Sequence, residues 1–279
     1  MAAERLRRSC VFLLVAMSLA AIAAPRPAVA SSVDDALEEA RRLESEGRQD
    51  DAEALLRRTL ESGVAARHPA LLLAIARLSP SPEESVELCG EVIAATRDAR
   101  LAGEARLLRG DYLYARGSYV EAVREYDAAL GGPRDIRWAA ALKRAASLLA
   151  GGDAPAAEDA YRSAVDTEGL PQELRPWVEI GLGRALLARG AAEEAAERFE
   201  ATARAHPDHD ARLAALAGAA RSHEEAGDAA RAAVSLAAIV AEFPGTYDAV
   251  LAEERLRGLA ETAPRSEESP DSTAATQAP

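Results

Sequence analysis

His206, Pro207, Asp208, His209 and Asp210 are consecutive, and between them they offer two imidazoles and two carboxylates. Nitrogen and oxygen ligands so close together could hold a zinc-type cation and, through it, activate a water molecule. The same run also suits the end of one helix and the start of the next, because proline stops a helix and aspartate caps one. A structural turn is the reading adopted, with metal ligation as its alternative. Other groups that could do chemistry lack their partners. The segment GLGRALL at 181–187 lacks the third glycine of a phosphate-cradling loop and follows no strand pattern. Lys143, the only lysine, has no serine three residues ahead of it. Glu38-Glu39, Glu193-Glu194 and Glu253-Glu254 are adjacent pairs. On a helix adjacent residues diverge, so these glutamates are expected to solvate surfaces rather than act as general acid and base. No catalytic residue, metal or cofactor is expected. Four of the six tyrosines, Tyr112, Tyr114, Tyr119 and Tyr126, cluster within GDYLYARGSYVEAVREYDAAL at 110–130. Such a cluster suits a binding face or helix packing.

The elements that must position these residues are helical. Hydrophobic residues make up 49% of the 279 residues but aromatics only 4%. Alanine therefore carries much of the apolar content, which favours closely packed helices over sheets. The two ends differ from the body. Arg5, Arg7 and Arg8 precede an apolar run from Cys10 to Ala24, and Ala28-Val29-Ala30 follows. A basic start, a short apolar run and a small-residue site predict a secretory signal peptide over 1–30, cleaved after Ala30. A retained anchor is the alternative, although the run is short for a membrane span. Removing this segment takes away four arginines and one glutamate, moving the net charge from −13 to −16. Nucleic acid and anionic lipid would repel such a chain. Only Cys89 would remain, which excludes an intrachain disulfide; the helical pattern of SVELCGEVI predicts a buried thiol. Residues 262–279, TAPRSEESPDSTAATQAP, lack any aliphatic side chain larger than alanine and are expected to form a disordered tail.

Between the ends runs a period. Gly47, Pro80, Gly117, Gly152, Gly190 and Gly227 punctuate the chain at spacings of 33, 37, 35, 38 and 37 residues. Five residues after each stands a small residue: Ala52, Ser85, Ala122, Ala157, Ala195 and Ala232. Four further on stands a larger one: Leu56, Cys89, Tyr126, Tyr161, Phe199 and Leu236. A recurring unit of this length predicts stacked helical hairpins, none able to bury its apolar face alone.

These residues resemble the tetratricopeptide repeat family, whose unit is a 34-residue helix-turn-helix. The best matches are GDYLYARGSYVEAVREYDAAL, GRALLARGAAEEAAERFEATARAHP and AARSHEEAGDAARAAVSLAAIVAEFP. The resemblance implies an all-α fold, a right-handed superhelical solenoid of about six tandem repeats with a C-terminal capping helix. The expected domain spans 31–261, with repeats near 33–65, 66–98, 103–135, 138–171, 176–209 and 213–246 and the cap at 247–260. The segment AEFPGTYDAVLAEERL is similar to the ends of envelope proteins of this family, and with the leader it points to the periplasm.

The family's pattern makes Tyr119, Tyr126 and His223 core residues and assigns a concave groove to the first helices. Its expected lining includes Arg41, Arg77, Leu107, Asp111, Tyr114, Leu142, Leu149, Trp177, Ile180, Arg184, Leu187 and Arg221. The expected function is a non-catalytic scaffold for protein–protein interaction in the cell envelope. Its partners would be envelope proteins or peptides with an apolar strip and some carboxylates. A structural homo-oligomer and a metal-dependent enzyme are the alternatives. Family members that clamp a C-terminal carboxylate use a Lys/Asn/Arg set on these helices. A chain with no asparagine and one lysine lacks that set.

Overall fold

Five of the six punctuating positions end a helix in the same way. Gly47, Gly117, Gly152, Gly190 and Gly227 all take positive φ, between 77° and 87°. Each donates its N–H to the carbonyl three residues back, and the next residue donates to the carbonyl five back. At Gly117 these bonds reach Tyr114 at 2.9 Å and, from Ser118, Leu113 at 2.9 Å. This pairing satisfies carbonyls that a helix end leaves open and reverses the chain with one left-handed residue, which glycine adopts without steric cost. Pro80 marks a different turn. There Ser81 caps the following helix by accepting from the Glu84 N–H, and Pro82 occupies its first turn, where a missing donor costs nothing.

A computed structural model describes residues 32–63, 67–166, 170–208 and 210–262. The expected signal peptide, the residues of the expected tail beyond Thr262, and His209 lie outside the described residues. Thirteen α-helices and no strands are found among them. They divide into two compact units between Arg97 and Asp98.

The first unit contains α1 (Val33–Ser45), α2 (Gln49–Glu61), α3 (Pro69–Leu78) and α4 (Pro82–Ala95). Neighbours in sequence pack on one another, and α1 also touches α3. Leu43, Leu55, Leu56, Leu71 and Ile75 fill the core, each at most 1% exposed.

The second unit contains α5 (Ala99–Ala115), α6 (Tyr119–Ala129), α7 (Arg134–Ala150), α8 (Ala154–Asp166), α9 (Arg175–Ala188), α10 (Ala192–Ala205), α11 (Ala211–Glu225), α12 (Ala229–Glu242) and α13 (Tyr247–Thr262). Each helix packs on the next. The first helices α5, α7, α9 and α11 also touch in succession, so they form a layer of their own. The architecture is an all-α repeat solenoid of helical hairpins.

All six small residues of the period, from Ala52 to Ala232, are fully buried. The six larger ones, from Leu56 to Leu236, are at most 7% exposed. In three of the four hairpins of the second unit the larger residue is a ring laid on bare backbone; in the last it is Leu236. A Cβ added at Gly110 would stand 2.5 Å from the Tyr126 ring, and one at Gly181 would stand 2.3 Å from that of Tyr161. Phe199 lies against both Gly183 and Gly218, where an added Cβ would meet its ring at 2.8 and 2.6 Å. Real side chains do not approach so closely, so glycine at these four positions sets the separation between helices.

Candidate functional site

The first helices of the second unit carry most of the residues that the family pattern assigns to a groove. On α5, Asp111 joins three helices. Tyr126 on α6 donates its hydroxyl to Asp111 at 2.8 Å, and Lys143 Nζ on α7 lies 2.6 and 2.7 Å from the two carboxylate oxygens. Burial, then the Asp111 hydrogen bond, pushes the Tyr126 phenol well above its ordinary value, so the tyrosine remains a donor. The Asp111–Lys143 pair is about two-fifths exposed on both sides. At that exposure it holds register more than it stabilises.

Tyr114, 40% exposed, stands one turn from Asp111 on α5. Its ring meets that of Tyr119 edge-on, with centroids 5.3 Å apart and planes at 65°. That contact gives Tyr114 a fixed aromatic neighbour without covering it. Tyr119 is half-buried and lies beside Gly151, so its packing role is partial. Burial pushes the Tyr161 phenol up to about 12. The nearby Arg184 charge opposes that rise and Tyr114 adds to it. Tyr114, Tyr161 and Arg184, from α5, α8 and α9, thus belong to one electrostatic neighbourhood. On α9, Trp177 is 44% exposed and Arg184 is exposed. Arg221 on α11 is exposed and pairs with Glu225 at 2.9 Å along its own helix.

Other residues expected at the groove lie deeper. Leu107, Leu142 and Leu149 are half-buried and pack against the core. Ile180 is 1% exposed and Leu187 9%. These two are corrected from lining to core. α9 is enclosed on most sides, and nine of its fourteen residues are buried. Arg41 and Arg77 are exposed on α1 and α3 of the first unit.

His223 and His206 are placed as packing and turn residues. His223 on α11 is 3% exposed, with Nε2 2.8 Å from Glu200 on α10. A carboxylate partner allows the imidazole to be buried there. His206 follows α10, with Nε2 3.6 Å from Glu179. Among the described residues no group of three or more histidine, cysteine, aspartate or glutamate side chains could hold a metal ion. Cys89 is fully buried.

The sequence reading missed the partner of Lys143. A signal was present: Asp111 and Lys143 are 32 residues apart, one repeat less about one helical turn. That offset places them on neighbouring turns of adjacent first helices.

No protein-family model matches the chain, and no curated protein does. Solved structures do match. A tetratricopeptide repeat protein from Parabacteroides merdae is 16% identical with a TM-score of 0.65, over 82% of this chain and 86% of that one. PilW, a type IV pilus biogenesis factor, is 17% identical with a TM-score of 0.61, over 77% of this chain and 96% of its own. PilF of Pseudomonas aeruginosa is 15% identical with a TM-score of 0.57, over 80% and 96%. At these identities the likeness establishes the fold, and the fold is that of the tetratricopeptide repeat proteins.

Proposed function

We propose that the chain is a non-catalytic scaffold of the bacterial cell envelope. It receives a partner peptide or helix on the first helices of its second unit. The observation that carries this reading is the exposure of Tyr114 and Trp177 on α5 and α9, with Arg184 exposed two turns along α9 from Trp177, in a chain poor in aromatics. Tyrosine, tryptophan and arginine are the residues enriched among the anchors of protein interfaces. The partner they suit carries an apolar strip flanked by carboxylates. Leu107, Leu142 and Leu149 would support the floor, and Asp111 and Arg221 would flank it. Arg77 would contribute a separate contact in the first unit. The envelope assignment draws support from the basic and apolar first 30 residues and from the fold likeness to PilW, a pilus biogenesis factor. No helix among the described residues is long and apolar enough to cross a membrane.

Photo-crosslinking side chains placed at Tyr114 and Trp177 in intact cells test the reading. They should give a discrete adduct, whereas the same groups at Val120 and Val234, exposed on second helices, should not. Equal adducts at all four sites would sink the groove assignment. A homo-oligomer is favoured by one observation: Tyr247, Val250 and Leu251 on α13 are 75%, 51% and 38% exposed. Sedimentation as a monomer at micromolar concentration removes that second reading.

A further inference from the structure

On a flank of α7 away from Lys143, residues spaced for one helical face line a cavity of about 330 Å³. Arg134, Arg137, Trp138 and Arg144 come from α7, Leu130 from the end of α6, and Ala164 from α8. Three guanidiniums around one cavity are unexpected in a chain with a net charge of −13. Arg144 holds Asp127 through Nε at 2.5 Å. Arg137 is exposed and forms no ion pair among the described residues. Trp138 packs on the core, yet its indole N–H is buried with no acceptor among the described residues. A buried donor without an acceptor is a rare and costly arrangement.

We infer that this cavity is a binding site for a small organic carboxylate with a compact apolar body. Every charged group lining it is a donor, and a guanidinium fork matches a carboxylate in plane. Apart from the Ser163 hydroxyl, the rest of the wall (Leu130, Ala141, Ala160, Ala164 and the indole) is apolar, so the body of the ligand can be desolvated against it. A doubly charged phosphate would leave water for the same apolar wall at much greater cost. The volume lies at the lower end of small-molecule sites, which sets the size near a single ring. The cavity's arginines lie on a flank of α7 away from Lys143, while Trp138, one turn from Leu142, is where the cavity adjoins the proposed protein-binding floor; ligand binding here does not rest on that reading.

The test is calorimetric titration of the full-length protein with benzoate, benzyl alcohol and inorganic phosphate. The Trp177→Phe variant supplies a second readout, because the chain has only two tryptophans and Trp138 then emits alone. Benzoate should bind at one saturable site and change Trp138 emission with the same midpoint. Benzyl alcohol should bind about tenfold more weakly or less, from loss of the charge-assisted bonds. Arg137→Gln should weaken benzoate by about the same factor, while Arg116→Gln, an exposed arginine outside the cavity, should change nothing. The inference is overturned if benzoate does not saturate, or if benzyl alcohol equals it. Phosphate matching benzoate, heat without a change in Trp138 emission, or an unchanged Arg137→Gln titration would also overturn it.

Discussion

The two units follow one period and fill it differently. The first, up to Arg97, has no aromatic residue among its described residues and packs leucine and isoleucine side chains against one another. The second sets rings on glycines: Tyr126 on Gly110, Tyr161 on Gly181, and Phe199 between Gly183 and Gly218. Branched aliphatic side chains keep helices apart by their own bulk and can shift when a neighbour changes. A ring against backbone has no side chain beneath it to give way. The hairpin repeat therefore constrains volume and spacing more than chemistry. The second solution should be the stiffer, and it belongs to the unit that carries the exposed aromatic face.

This contrast can be broken by mutation. Phe199→Ala should have the largest effect, about 4 kcal/mol, because it empties a space walled by two glycines that cannot refill it. Chemical denaturation followed by tryptophan emission measures it, since Trp138 and Trp177 both lie in the second unit. A loss under about 2 kcal/mol would mean that the helices close over the gap and that the stiffness is overstated.

Gly181→Ala comes next, at about 2 kcal/mol, from forcing a methyl into the Tyr161 ring. Pairing it with Tyr161→Leu sharpens the test, because the smaller side chain should recover part of the loss. An additive double variant would show that the ring is not what the methyl meets.

The smallest expected effect lies in the first unit, where charge ties the one proline turn. Arg57 bonds Glu84 at 2.7 and 2.8 Å, and Ser79 donates to Glu84 at 2.5 Å. Arg57, then Ser79, holds the Glu84 carboxyl down at about 2, from 4.5. A carboxyl depressed on folding stabilises fully above its unfolded value. That contribution disappears as pH falls from about 4.5 to about 2. Both partners are more than a third exposed, so the contribution is about 1 kcal/mol after solvent screening. Glu84→Gln should remove it at neutral pH and flatten the acid limb of a circular-dichroism melt between those values. An unchanged acid limb would assign the turn's stability to its serine cap alone.

How much was legible in the sequence differs between elements for physical reasons. The solenoid was legible because its period repeats local chemistry: a glycine with positive φ, then a small residue, then a large one. Each is a requirement that a few residues satisfy among themselves. The face of the first helices was legible only in part. Ile180 and Leu187 occupy groove positions of the repeat pattern but are closed in, because α9 has helices on most sides and enclosure depends on curvature, which no local pattern encodes. Arg137 and Trp138 escaped notice for a related reason. Their cavity exists because α6 and α8 stand apart over α7, a distance between elements rather than a property of any segment. Asp111 was recognised as a face residue, but its ties to Tyr126 and Lys143 were not. Two of the three groups looked like a packing ring and an isolated charge.

Lys143 bears on how partners would be found. It is the single lysine of the chain, so apart from the chain terminus it offers the only primary amine. Amine-directed crosslinkers, the common choice for mapping assemblies, are nearly blind to this protein, and silence from them says nothing about whether it has company. Any lysine-borne adduct found on it carries one address: the α7 side of Asp111, beside the exposed Tyr114. What limits chemical proteomics here thus becomes a built-in single-site probe of the face proposed to receive a partner.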